Sequence, residues 1–317
     1  MNFSIQSLTE NGLSIIRLTN SISHTTIDIL PAYGALLHSF TIQTVQGPFN
    51  IIDNYKDKGT IENQLSHSYK SSKLSPFACR IPAGKYEWEN SQFEFTNKFN
   101  DGSAIHGLLF NKVFSVDEQY FNNEKASVKL SYHYSKEDPG YPFEYRCSVI
   151  YTLYPDNTLQ VETTLHNLDK VSIPIADGWH PYFTLGSPVN GCELEFASDT
   201  MLEFNEQLVP TGKFINDPSF IKSKLIGNRL FDNSFLLQLK EGSPVCTLHN
   251  PSNKLTLLFY TNKNYPYLQI YIPDDRNSIA IENLSGAPNC FNNGMGLKTL
   301  LSGQTETFNV TYKLHQP

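Results

Sequence analysis

Cysteine is sparse in this 317-residue chain: Cys79, Cys147, Cys192, Cys246 and Cys290 are odd in number, widely scattered and include no CxxC pair. That leaves no framework for a disulfide scaffold or a structural zinc site, and the five are read as free, buried thiols in a reducing compartment. Long apolar runs are also missing. Nothing approaches the ~18 consecutive apolar residues of a membrane span. The opening MNFSIQSLTENGLSII has neither the basic n-region nor the apolar h-region of a secretory signal. A cytoplasmic protein with no membrane partner is the resulting expectation. Positive charge is in deficit, with 24 Lys and Arg against 31 Asp and Glu, a net charge of −7 and no basic run. Nucleic acid is therefore not an expected partner. There is no GxGxxG between strand and helix, no Walker loop, no HExxH and no GxSxG. Dinucleotide, nucleoside-triphosphate, zinc-protease and serine-hydrolase chemistry lose their usual support.

What the chain does have is aromatic and β-branched residues in short alternating runs. It contains 21 Phe and 17 Tyr, enough apolar material for a sizeable core. LSIIRLTN, TTIDILPA, ALLHSFTIQTV, ASVKLSYHYS, YRCSVIYTLY, TLQVETTLHN, KLTLLFYTN and YLQIYIP all read as strands. Turn clusters such as TENG, VQGP, KEDPGYP, YPDN and NPSN separate them. Residues 55–75 and 213–230 are polar and strand-poor, and are the expected places for a short helix. Without βαβ alternation, fixed-period repeat or Pro/Gly/Ser-rich linker, the pattern predicts an all-β antiparallel sandwich forming one domain over residues 1–317.

With cofactor motifs missing, histidines, carboxylates and arginines are left to carry chemistry. Seven of the nine histidines sit in ordinary strand or turn contexts. His106 differs, because Gly107 follows it and lets a backbone or ligand approach closely. His180 lies in ADGWHPYF, where Pro181 ends regular pairing beside three aromatic residues. Glu282 continues the apolar run Ile279-Ala280-Ile281. There it is either an edge residue facing solvent or a buried carboxylate that must be paired or functional. Asp232, in NRLFDNSFLL, is an acid among apolar neighbours or an Asx turn. Arg80 interrupts FACRIPAGKYEW and calls for an acid partner or a polar ligand.

Six stretches in this order, ILPAYGALLHSFTI, ACRIPAGKYEW, AIHGLLF, the long segment from GYPFEY to GWHPYFTL, FDNSFLL and IAIENLSGAPN, resemble the aldose 1-epimerase (galactose mutarotase) family. The likeness runs from about Asn2 to Leu314. It implies a large antiparallel β-sandwich of the galactose mutarotase type, and exchange of the α and β anomers of a free aldohexose with no cofactor and no metal. It implies Glu282 as general base, His180 as general acid and His106 as a second active-site histidine, with Arg80 and Asp232 binding sugar hydroxyls. The partner is then a small sugar, and the protein a monomer or homodimer. Three positions depart from the family pattern: Cys79 stands where an Asn precedes the arginine, Leu108 where a second Gly follows His106, and the usual Asn before the second histidine is replaced. All three border the expected pocket, so the sugar stays open. Two further readings remain: a hexose-phosphate mutarotase, which needs a second cation beside Arg80, and a carbohydrate-binding protein without catalysis. A lyase or hydrolase fits less well, because glycosidases use two carboxylates at set separation.

Anomer exchange by ring opening removes the C1 hydroxyl proton and protonates the ring oxygen. A Glu with a reference pKa of about 4.3 is the natural base, and a His near 6.5 the natural acid, the two being expected to face each other across the sugar.

Overall fold

The computed structural model describes residues 1–316. Alternation of apolar and polar residues sets its strands. Thr158–Asn167 buries every second side chain, and Thr305–His315 repeats the pattern over most of its length. These two strands pair antiparallel at the centre of a nine-stranded sheet. In front of it lies an eight-stranded sheet in the order Pro210–Asn216, Thr200–Phe204, Asp232–Leu236, Tyr267–Tyr271, Ile279–Leu284, Gly178–Trp179 and Lys73–Leu74, with Tyr182–Phe183 also paired to Ile279–Leu284. The two sheets meet through aromatic rings. Phe183 packs on Phe259 and Tyr312 at 5.1 and 5.4 Å between centroids, and Phe196 on Phe235 at 4.6 Å, the edge and tilted contacts that aromatic quadrupoles favour. An antiparallel β-sandwich results, as the sequence predicts.

The first fifty residues form a five-stranded antiparallel meander, Phe3–Glu10, Leu13–Asn20, Thr25–Leu30, Leu36–Thr44 and Gly47–Asn50. Its first hairpin turns through Asn11-Gly12, both at positive φ, the Asn-Gly signature of a two-residue type I′ loop. The Tyr151 hydroxyl donates to the Ala35 carbonyl at 2.8 Å and ties this region to the nine-stranded sheet.

Residues 55–75 contain the expected helix, Lys58–Ser68. Asp57 caps it by accepting from the Thr60 amide at 2.7 Å, and Tyr69 ends it in the left-handed conformation, satisfying orphan groups at both ends. Residues 213–230 hold no such helix: Pro210–Asn216 is a strand, followed by one 3₁₀ turn at Pro218–Phe220. Pairing of Pro210–Asn216 with Thr200–Phe204 overrides its polar composition, because an edge strand exposes most of its side chains. All five cysteines are free and buried. Among the described residues no helix is long and apolar enough to cross a membrane.

Candidate active site

The strand Ile279–Leu284 is buried along its whole length, and its two faces do different work. Phe183 pairs with Ile279 and packs on the nine-stranded sheet, so the period of two turns Ile279 and Ile281 toward the core and Glu282 away from it. Gln269 is the cross-strand partner of Glu282, and Ser234 that of Gln269. Two residues before Ser234, Asp232 points to the same face. Glu282, Gln269 and Asp232 therefore share the outer side of the eight-stranded sheet. There the Gln269 amide donates to Asp232 Oδ1 at 2.9 Å. Asp232 is a strand residue, not an Asx turn.

Above this face lies a cavity of about 510 Å³, lined by all five of Arg80, His106, His180, Asp232 and Glu282. His180 enters from the break between Gly178–Trp179 and Tyr182–Phe183. Its amide donates to the Ser72 carbonyl at 3.1 Å and its carbonyl accepts from the Ser71 amide at 2.9 Å. The Ile281 amide donates to the Pro181 carbonyl at 3.3 Å, which brings the segment alongside Ile279–Leu284. His180 Nε2 consequently stands 3.4 Å from Glu282 Oε1. The two groups are side by side at the cavity floor; they do not face each other across it. Glu282 is 1 % exposed, which disposes of the edge-strand alternative, and its Oε2 has no hydrogen-bond partner.

His106 arrives on a loop that only small clearances allow. Both it and Gly107 have positive φ, and a Cβ on Gly107 would lie 2.3 Å from the Ser75 carbonyl oxygen. The His106 amide donates to the Cys79 carbonyl at 3.0 Å. Left-handed residues of this kind collect where a site requires them. Four rings follow one another along the wall: Tyr69 to His106 at 4.7 Å, His106 to His180 at 5.0 Å edge-on, and His180 to Tyr182 at 5.0 Å stacked. Arg80 pairs across its short ladder with Ile105, and its Nη1 is hydrogen-bonded to Asp101, the acid partner its sequence context called for.

Burial rules the protonation states of the floor. It pushes the Glu282 carboxyl well above the usual range, with Asp232 adding to the effect. It lowers the His180 imidazole to about 4, and holds His106 well below its ordinary value with help from His180 and Arg80. Asp232 is raised by burial, against the opposing pull of Arg80 and Gln269. Burial thus moves the two groups against the expected division, the carboxyl toward its protonated form and the imidazole toward its neutral form, because neither can charge cheaply away from water.

Several lining residues were not singled out from sequence. Gln269 sits in YLQIYIP as a polar residue inside an apolar strand, the same signal that marked Glu282, but only the register shows that the two are neighbours. His67, read as an ordinary histidine, lies on the cavity wall with Tyr69 and Lys70, delivered there by the end of the helix. Lys70 Nζ lies 2.7 Å from Asp53 Oδ2, which also accepts from the Ser278 hydroxyl at 2.7 Å.

The fold is a β-sandwich with a pocket of buried titratable side chains on the outer face of one sheet, and similarity to known proteins places it in a family. The chain belongs to the aldose 1-epimerase family, whose model matches residues 14–313. It is 27 % identical over 252 residues to the uncharacterized protein YihR of Escherichia coli, covering 77 % of this chain and 78 % of that one. A galactose mutarotase-like protein from Clostridium acetobutylicum superposes with a TM-score of 0.88 at 18 % identity, over 100 % of this chain and 99 % of its own. Galactose 1-epimerase from Lactobacillus acidophilus gives 0.81 at 19 %, over 99 % and 98 %. At these identities the structural likenesses establish the galactose mutarotase fold.

Proposed function

We propose that this protein is a mutarotase that interconverts the α and β anomers of a free aldohexose. The observation that carries the reading is the His180–Glu282 contact of 3.4 Å at the cavity floor. The C1 hydroxyl and the ring oxygen are bonded to the same carbon. An acid and a base that serve them both must stand side by side, as these two do. The pair holds one proton, so either partner can give while the other takes.

In the proposed cycle the C1 hydroxyl donates to the unpartnered Oε2 of Glu282. That hydrogen bond favours the carboxylate and moves the pair's proton onto His180. Glu282 then removes the C1 hydroxyl proton while His180 Nε2 protonates the ring oxygen. The bond between C1 and the ring oxygen breaks, and the open-chain aldehyde forms. Rotation about C1–C2 presents the other carbonyl face, and the same two groups run in reverse to close the ring. Neutral His106 offers a hydrogen bond to a sugar hydroxyl, and Arg80 and Asp232 hold the sugar while C1 moves. Each positioned acid or base contributes typically 10²–10⁴-fold.

Lys70 supplies a second cation, which the sugar-phosphate reading needs. It is nevertheless engaged by Asp53, as Arg80 is by Asp101, and Asp232 and Asp275 also line the cavity. Acids outnumber free cations, which favours an uncharged sugar. The test is polarimetry of freshly dissolved α-glucose and α-galactose with and without protein. Faster decay of rotation is expected for at least one free hexose. Decay at the buffer rate across a panel of free hexoses overturns the reading.

A further inference from the structure

On the segments that carry and flank His180 and Glu282 lies a buried charged pair that the proposed chemistry does not use. Lys73 Nζ stands 2.5 Å from Asp177 Oδ1, and both side chains are 0 % exposed. The ammonium also donates to the Gly178 carbonyl at 3.0 Å and lies 4.5 Å from the centre of the Trp179 ring. On the far side, the Tyr265 hydroxyl donates to Asp177 Oδ2 at 2.6 Å. The Asp177 amide donates to the Ser285 hydroxyl at 2.7 Å, and the Ser285 amide returns a bond to the Asp177 carbonyl at 2.9 Å.

These contacts join three segments, and each bears on the site. Lys73 follows Ser71 and Ser72, whose backbone groups bond the backbone of His180. Asp177 and Gly178 lead into His180. Ser285 directly follows the strand that carries Glu282, and Gly178 pairs with both Leu284 and Leu74. A buried ion pair is weak evidence for stability, since its desolvation offsets much of its attraction, and apolar replacements are often neutral or stabilising. The best-attested role of buried polar pairs is to set register between the elements they join.

We infer that Lys73 and Asp177, with Tyr265, form a clamp that sets the spacing of His180 and Glu282; they are positioning residues for the acid–base pair. The inference rests on the proposed mutarotase reading for its kinetic consequence, while its structural consequence is independent of it.

The double variant Lys73→Met/Asp177→Asn removes both charges together and leaves no lone charge in the core. It is expected to fold, with kcat for anomer exchange lowered about tenfold or more and KM within about twofold of wild type, because misplaced reacting groups cost rate rather than binding. A second readout is the titration of the His180 imidazole, followed by NMR of histidine-labelled protein and assigned with His180→Asn. The groups facing it are Glu282, His106 and Tyr182. In the double variant its midpoint is expected to rise toward the ordinary histidine range as a loosened contact admits water. A folded double variant with wild-type kcat and an unmoved His180 titration overturns the clamp, even if its melting temperature has changed. Should the double variant not fold, Tyr265→Phe decides: loss of one hydroxyl is expected to shift kcat and the titration in the same directions by less, and wild-type values for both overturn the inference. If the wild-type protein accelerates no sugar's anomer exchange, the mutarotase reading falls alone, and the His180 titration still decides the clamp.

Discussion

Glu282 and His180 each occupy a place that a stability argument would give to an apolar residue. Burial raises the Glu282 carboxyl well above its usual range. A group with a raised folded pKa contributes its stability below the unfolded value of about 4.3, and that contribution is lost as pH rises through the folded value. Glu282→Gln removes this loss and keeps the shape. The stability gap between the variant and wild type, read from chemical denaturation at several pH values, is expected to widen in the variant's favour above about pH 4.3. At the same time kcat should fall at least ~10²-fold. A variant with wild-type kcat would make this glutamate a mere core carboxylate. The pH profile of kcat/KM reports the free protein, so the directions set by burial apply to it. In the proposed cycle the active form holds one proton on the pair. Its acid limb belongs to His180 taking a second proton near 4, and its alkaline limb to loss of the proton from Glu282. In Glu282→Gln the alkaline limb should vanish and the acid limb stay. Both limbs report macroscopic values of a coupled pair. Arg80→Ala should raise KM strongly, with the smaller change in kcat, since its guanidinium lines the cavity but does not reach the pair.

Among the elements, the short ladder that carries Arg80 leads directly into His106 and Gly107, where the backbone is tightly constrained. Gly107 has a φ of +78° and no room for a side chain beside Ser75. Gly107→Ala is expected to cost ~1–3 kcal/mol through backbone strain, and to lower kcat by displacing His106. Calorimetry and steady-state polarimetry check the two together. Unchanged stability would mean that the loop relaxes freely and does not hold the histidine. The strand Ile279–Leu284 has a simpler logic. One face must be apolar to cover the nine-stranded sheet, and the other is free to carry Glu282 because it meets the pocket. That is why a carboxylate interrupts an apolar run without breaking the fold.

For the whole molecule, charge is the property that reaches beyond single contacts. The net charge is −7, and the cavity wall carries Asp53, Asp232 and Asp275 beside Lys70 and Arg80. A dianionic phosphate meets an unfavourable field on approach and paired cations on arrival. Free hexose is therefore expected to be preferred over its 6-phosphate in kcat/KM, with little dependence on ionic strength for the neutral sugar. Faster exchange of the phosphate would favour the hexose-phosphate reading instead.

The all-β class and most of the strands were legible in the chain, since period-two alternation is a local signal that packing only confirms. TLQVETTLHN and ASVKLSYHYS match their observed strands residue for residue. The sequence also marked the five residues that meet in the cavity, partly as polar groups in apolar runs and partly through the order of family-like stretches. The stretch 213–230 misled because its polarity reflects exposure at a sheet edge, and a local pattern carries no information about pairing partners. For the same reason Gln269, Lys70 and the Lys73–Asp177 pair stayed hidden: their neighbours lie elsewhere in the chain, brought close by strand register for Gln269 and the Lys73–Asp177 pair and by the turn after the helix for Lys70. The tertiary structure alone decided that His180 and Glu282 stand side by side. It also decided which way their pKa values move, because a pKa depends on how much water the fold leaves around the group.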